Sequence, residues 1–163
     1  MRVGIGFDIH AFAEGRRLVL AGIDFEGDEG LQGHSDADVL THAVIDALLG
    51  AAGMGDIGQH FPDTDERWRD ASSLAMLAEV RSRLEDENYQ PVNVDVSIVA
   101  ERPHLAPKVN TMREMLARVL GIGPDSVSIK ATTAERLGAL GRSEGIAAWA
   151  VALIDRVPES DLP

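Results

Sequence analysis

Polarity along this chain alternates in some stretches and recurs every three to four positions in others. The run "RVGIGFDIH" is short, apolar and alternating, and predicts a strand over residues 2–10. Side chains two apart in a strand point the same way, so Asp8 and His10 share one face and Phe7 and Ile9 the other. "RLVLAGIDFEG" (17–27) reads as two short strands joined at Ala21-Gly22, a hairpin signal. "DADVLTHAVIDALLGAAG" predicts a helix over about 36–52: Val39, Ala43, Val44, Ala47, Leu48 and Ala51 recur at helical spacing, and Gly53 sits where a C-cap belongs. "MGDIGQHFPDTDERW" is loop-like, rich in Gly and Asp.

A second helix follows at about 70–87 with Leu74, Leu77, Ala78 and Leu84 inward. Residues 91–100 give the cleanest strand, Val92, Val94, Val96 and Ile98 alternating with Asn93, Asp95 and Ser97. A helix over roughly 107–120 stops at Gly121, residues 126–131 form another strand, and "TTAERLG" a short helical turn. "GIAAWAVALID" is apolar on every side; its place after a strand–turn unit favours a buried strand over a helix. The order β, ββ, α, α, β, α, β, short α, β predicts an α+β fold, a mixed β-sheet with helices layered on one face. No repeat or low-complexity linker interrupts it, which fits one domain over 1–163. The sheet's other face must also be covered, which points to self-association.

Composition narrows the chemistry. The chain carries 27 acidic and 15 basic residues, a net charge of −12, and no Lys/Arg-rich run, so nucleic acid is not an expected partner. An acidic protein that handles a polyanion needs metal ions, helix N-termini or backbone amides to hold it. With no cysteine, any zinc must be bound by His and carboxylate. Apolar runs stay short of a membrane span, and the first residues already follow a strand pattern rather than a leader peptide, so a cytoplasmic protein without membrane contact is expected.

Asp8 and His10 side by side on a half-buried strand call for a third ligand. His42, mid-helix between Asp38 and Asp46 on one face, is the candidate. Three protein ligands with an open fourth position would make a catalytic zinc, the flanking carboxylates orienting the imidazole; the alternative is a solvent-facing helix side that happens to carry a histidine. In "HSDAD" (34–38), Ser35 or Asp36 suits an N-cap, while His34 and Ser35 beside a helix start also suit an anion. In "KATTAERLG" (130–138), Thr132 and Glu135 fit a capping box, and the hydroxyls of Thr132 and Thr133 would equally suit a phosphate, with Glu135 near a hard cation. "GDIGQHFPDTD" reads as a solvated acidic loop or as a lid in which Asp56 bonds sugar hydroxyls.

Together "GFDIHAF", "HSDADVLTHAVIDALLGAAGMGDIGQHFPDTD", "NVDVSIVAERP", "KATTAERLG" and "GRSEGIA", in that order from Met1 to about Asp155, resemble the 2-C-methyl-D-erythritol 2,4-cyclodiphosphate synthase family of the non-mevalonate isoprenoid pathway. The resemblance implies a phosphorus-oxygen lyase that cyclises 4-diphosphocytidyl-2-C-methyl-D-erythritol 2-phosphate and releases CMP. It implies a homotrimer with sheets packed around a threefold axis and active sites between subunits. Zinc would sit on Asp8, His10 and His42, and a second cation, magnesium or manganese, on Glu135. His34 and Thr133 would stabilise the transition state, His34 and Ser35 meeting the diphosphate region. Asp56, Ile57 and Gly58 would meet the methylerythritol, with Phe61, Pro62, Asp63, Thr64 and Asp65 closing over it. The cytidine would lie against a neighbour's Ala100, Glu101, Arg102, Pro103, His104, Leu105 and Ala106, and its Ala131, Thr132, Thr133 and Ala134. Leu137, Gly138 and Arg142 complete the implied substrate set. Phe7, Arg142 and Glu144 would line an axial cavity, for which an isoprenoid diphosphate is the ligand to consider.

Two positions depart from the family pattern: His104 stands where a lysine is common, and Ala139 where a bulky aromatic is frequent. The first would make a cationic contact pH-dependent and the second would widen the axial cavity. Two other readings use the same residues: a zinc-dependent phosphohydrolase with water as nucleophile, and a non-catalytic trimeric scaffold with a structural metal.

Overall fold

The computed structural model describes residues 1–157. A five-stranded mixed sheet has the order β2-β1-β5-β3-β4, built from β1 (Arg2–Leu20), β2 (Ile23–Leu31), β3 (Tyr89–Val99), β4 (Val127–Thr132) and β5 (Gly145–Arg156). Only β3 and β4 run parallel; the other neighbours are antiparallel. The helices are α1 (Val39–Ala52), α2 (Ile57–His60), α3 (Ser73–Asp86), α4 (Val109–Leu120) and α5 (Gly138–Gly141). α1 packs across β1 and β5, α3 on α1 and β3, and α4 on β4 and α3, which makes the expected α+β layering. The apolar tail is a strand, as its position suggested.

The first strand is longer than its pattern predicts. β1 pairs with β5 over Arg2–Ala11, then changes partner and pairs with β2 from Phe12 to Leu20. The sequence pattern ends the first strand at His10 and opens the next at Arg17. In the structure Gly15 takes a left-handed conformation (φ 76°) inside a register shift, so the strand bends without ending. The hairpin at Ala21-Gly22 is as expected, with both residues at positive φ between the paired Leu20 and Ile23.

Other boundaries move for local reasons. α1 starts at Val39 rather than 36, because Ala37 is left-handed (φ 57°) and Asp38 is the N-cap. α3 covers Ser73–Asp86 with Met76, Leu77, Val80 and Leu84 buried; Ala78, expected inward, is exposed, and Leu74 is only half-buried. Val92 also faces out, because a bulge between Pro91 and Asn93 shifts the alternation before Val94, Val96 and Ile98 resume it. No helix opens at Thr132: Glu135 and Arg136 are both left-handed, so the predicted capping box does not form.

Even-numbered positions at the start of β1 face α1, and two of them are glycines. An added Cβ at Gly4 would meet the Ala47 carbonyl oxygen at 2.1 Å, and one at Gly6 the Ala43 carbonyl oxygen at 2.0 Å. Their absent side chains let helix and strand touch, and Asp8 and His10 continue the same face. Odd positions point away from the helices. There Val3 (66% exposed), Ile5 (70%), Phe7 and Ile9 form an apolar surface with Trp149 and Val151 of β5. Phe7 pairs with Trp149 in register, their ring centroids 4.7 Å apart.

Candidate metal centre and adjoining cleft

Close packing of β1 against α1 carries Asp8 and His10 to His42, which lies in the first turn of α1. It is buried rather than solvent-facing. Asp8 Oδ2 is 2.9 Å from His10 Nε2 and 3.0 Å from His42 Nδ1, and the two ring nitrogens are 3.3 Å apart. One ligand-type atom from each residue lies within 4.8 Å of the others, the arrangement a shared cation requires. The other Asp8 oxygen accepts from the Ile9 amide at 2.9 Å.

The outer nitrogens decide which lone pairs are free. His10 Nδ1 is 2.6 Å from the Gln32 carbonyl oxygen, which can only accept. Nδ1 therefore carries a proton, and in the neutral ring Nε2 offers its lone pair to the cluster. His42 Nε2 faces two hydroxyls, Ser73 Oγ at 2.9 Å and Ser35 Oγ at 3.2 Å. Two imidazoles and a carboxylate converging in this way are a donor set that suits zinc.

Burial alone would raise the Asp8 pKa, but hydrogen bonds from His10 and His42 and their charges outweigh it and hold the carboxyl far below the usual range. Burial would lower that of His10; the Asp8 contact and the Gln32 carbonyl raise it instead. Asp38 and Asp46, expected to orient the His42 ring, do other work. Asp38 is fully buried and accepts from the Thr41 amide (3.0 Å), the Thr41 hydroxyl (2.7 Å) and the Gly22 amide (2.8 Å). Asp46 accepts from the Ile57 amide at 2.7 Å, so it holds the start of α2. Asp38 thus occupies a helix amide that the anion-site reading left open, and Ser35 Oγ turns to His42 and the Ala37 amide.

A cleft of about 200 Å³ opens over the cluster, lined by Asp8, His10, His34, Ser35, His42, Ile57, Gly58, Phe61, Asp63, Trp68 and Met76. Phe61 meets Trp68 edge-on with centroids 4.8 Å apart. Asp56 caps α2 through the Gln59 amide at 3.0 Å, and Asp65 holds Arg67 through paired hydrogen bonds. The acidic stretch is thus two short helical turns rather than open loop. Ser73, Trp68, Met76 and the Gln32 carbonyl were not singled out from the sequence. Met76 was accessible to it, since residues 73, 76, 77, 80 and 84 follow helical spacing better than the set that includes Ala78.

The remaining predicted residues lie elsewhere on the chain. Ala100, Glu101, Pro103, His104, Leu105, Ala106, Ala131, Thr132 and Thr133 line a second cleft of about 280 Å³ that shares no residue with the first. Arg102 stacks on Phe12, its guanidinium carbon 4.0 Å from the ring centroid, and bonds Glu29 at 2.7 Å. Glu101 Oε1 accepts from the Ala134 amide (3.0 Å) and the Arg136 amide (3.2 Å), so those amides are engaged. Thr133 donates to Glu135 Oε1 at 2.9 Å, and Leu137 is exposed. Arg142 and Glu144 pair with each other at 2.6 Å.

The model of the YgbB family matches residues 1–155. A 2-C-methyl-D-erythritol 2,4-cyclodiphosphate synthase of Symbiobacterium thermophilum is 56% identical over 154 residues, 94% of this chain and 98% of that protein. A bifunctional enzyme IspD/IspF of Anaeromyxobacter sp. is 56% identical over 95% of this chain, which spans only 40% of that longer protein. A solved 2C-methyl-D-erythritol-2,4-cyclodiphosphate synthase in a CDP-bound form superposes with a TM-score of 0.87 at 36% identity, over 94% of this chain and all of that one. The chain belongs to the YgbB family, that of the 2-C-methyl-D-erythritol 2,4-cyclodiphosphate synthases.

Proposed function

We propose that this protein converts 4-diphosphocytidyl-2-C-methyl-D-erythritol 2-phosphate to 2-C-methyl-D-erythritol 2,4-cyclodiphosphate and CMP in the cytoplasm, as a lyase of non-mevalonate isoprenoid biosynthesis. The Asp8–His10–His42 cluster carries the reading: three donors converge in a cleft whose open side admits a further ligand. An oxygen of the 2-phosphate attacks the β-phosphorus, and the bond from that phosphorus to the oxygen of the departing CMP breaks. The nucleophile is already an anion, so no strong base is needed; the obstacle is repulsion between phosphates. Asp8, His10 and His42 would hold zinc and Glu135 magnesium or manganese, and these cations, when bound, neutralise the phosphates and polarise phosphorus.

The chain's own groups orient the substrate. His34 and Ser35 meet the phosphate end, and residues 56–58 and 61–65 enclose the methylerythritol. The segments 100–106 and 131–134 of a neighbour receive the cytidine; that a related synthase has been solved with CDP bound supports a cytidine nucleotide as ligand. Two observations support self-association of such domains, which the family resemblance makes a homotrimer. The apolar face of Val3, Ile5, Phe7, Ile9, Trp149 and Val151 is too continuous to leave in water. The residues proposed for the substrate are also divided between two clefts that share none of them, so a substrate that meets both sets calls for a cleft from each of two neighbours. Among the described residues no helix is long and apolar enough to cross a membrane.

An assay of CMP release tests the reading: wild type releases CMP with zinc and magnesium present, and Asp8→Ala loses at least about 100-fold of the rate. Equal rates in the two would overturn it.

A further inference from the structure

Ser73 is fully buried at the first turn of α3, yet its hydroxyl is not spent on its own helix. It meets two groups from another part of the chain, the Asp36 carboxylate and His42 Nε2, the latter at 2.9 Å. Asp36 is itself anchored: its second oxygen accepts the Ser73 amide at 3.0 Å, and its own amide donates to the Ala71 carbonyl at 3.0 Å. The Ser72 N-cap makes no side-chain hydrogen bond, so Asp36 caps α3 from outside.

This geometry sets the direction of every proton in the chain of contacts. An ionised carboxylate only accepts, so the single Ser73 O–H points at Asp36. A lone pair of Ser73 Oγ then faces His42, and only a protonated Nε2 completes that contact. In the neutral ring that a metal takes, Nδ1 is left with its lone pair directed at Asp8 and His10. Ser35 Oγ also approaches Nε2, but at 3.2 Å, and it already accepts from the Ala37 amide. The carboxylate behind Ser73 makes it the stronger acceptor of the two.

We infer that Ser73, held by Asp36, is a positioning residue that fixes the His42 tautomer and aims Nδ1 into the ligand cluster. The inference rests on the reading of that cluster as a metal centre. The α3 cap then acts twice, since one carboxylate oxygen secures the helix start and the other reaches the metal ligand through one hydroxyl. His10 receives the corresponding service from the Gln32 carbonyl, so each imidazole is oriented from a different part of the fold.

Ser73→Ala separates the two actions, because the backbone amide that Asp36 caps remains. Zinc affinity measured by chelator competition should fall about 10- to 100-fold in Ser73→Ala, with His42→Ala as the variant that loses the site. Nitrogen-15 NMR of the zinc-loaded wild type should show His42 with its proton on Nε2 and the metal on Nδ1, and exchange broadening of that ring in Ser73→Ala. Affinity within about twofold of wild type, while His42→Ala loses zinc, would overturn the positioning role alone. Zinc retained by His42→Ala would overturn the metal-centre reading and this inference with it. A proton on Nδ1 and the metal on Nε2 in the zinc-loaded wild type would overturn the inference even if Ser73→Ala failed to fold.

Discussion

A methyl group at position 6 would fall 2.0 Å from the carbonyl oxygen of Ala43, one residue beyond His42. The strand that presents Asp8 and His10 and the helix that presents His42 are therefore in backbone contact. Gly6→Ala must push α1 off β1, and overpacking of this kind costs about 1–3 kcal/mol. Denaturant unfolding should show that loss. Zinc affinity should fall too, because the same displacement separates His42 from Asp8. Unchanged stability would mean that strand and helix can part at this point without loss.

Asp38 is a separate test of the fold beneath the site. Its carboxylate satisfies the Thr41 amide, the Thr41 hydroxyl and the Gly22 amide, which joins the N-terminus of α1 to the β1–β2 turn. Burial pushes its pKa up, so ionising it in place is costly, but the three donors offset part of that cost. Asp38→Ala removes the cap and strands buried donors, and should cost at least about 2 kcal/mol in urea unfolding. Asp38→Asn, which keeps one acceptor oxygen, should lose less.

Much of this site was legible in the sequence because β-strand alternation is local. Asp8 and His10 fall on one face and Phe7 and Ile9 on the other whatever the rest of the chain does. What covers each face is not local. Nothing near His42 in sequence tells that Ser73, from another helix, would meet its ring rather than Asp38 or Asp46, which have the right spacing on α1. The capping box at Thr132 failed for a related reason: Glu101, distant in sequence, takes the Ala134 and Arg136 amides and stabilises a left-handed turn there. The long β1 was missed because the alternation lapses after His10, where a bulge around Gly15 bends the strand without ending it.

Metal and protons should compete at the cluster with opposite effects on stability. His10 has a raised pKa in the metal-free fold, owing to Asp8 and Gln32 against the opposing effect of burial. A histidine raised in this way contributes stability that is full below its unfolded value of about 6.5, and loses it as pH climbs through the folded value. Zinc takes deprotonated ligands, so its stabilisation grows over the same interval. The gap in Tm between zinc-loaded and metal-free protein should therefore widen from about pH 5.5 to about pH 8. A gap independent of pH would mean that His10 is not displaced from Asp8 by the metal.

The two separate clefts make a prediction about assembly. His42→Ala damages one cleft and Thr133→Ala the other, and each variant alone should be nearly inactive. If a site takes one cleft from each of two neighbours, co-refolding the two at equal amounts leaves about a quarter of the sites with both halves intact. Activity should recover to that level, read as CMP released per chain. No recovery in protein shown by native mass spectrometry to have mixed would place both halves of a site on one chain.

The assigned reaction itself can be followed by phosphorus NMR of the zinc-loaded protein with 4-diphosphocytidyl-2-C-methyl-D-erythritol 2-phosphate and magnesium. The substrate resonances should give way to a cyclic diphosphate and CMP in equal amounts. Inorganic phosphate in their place would assign the cluster to hydrolysis, and unreacted substrate over protein shown to hold zinc would contradict the assigned activity altogether.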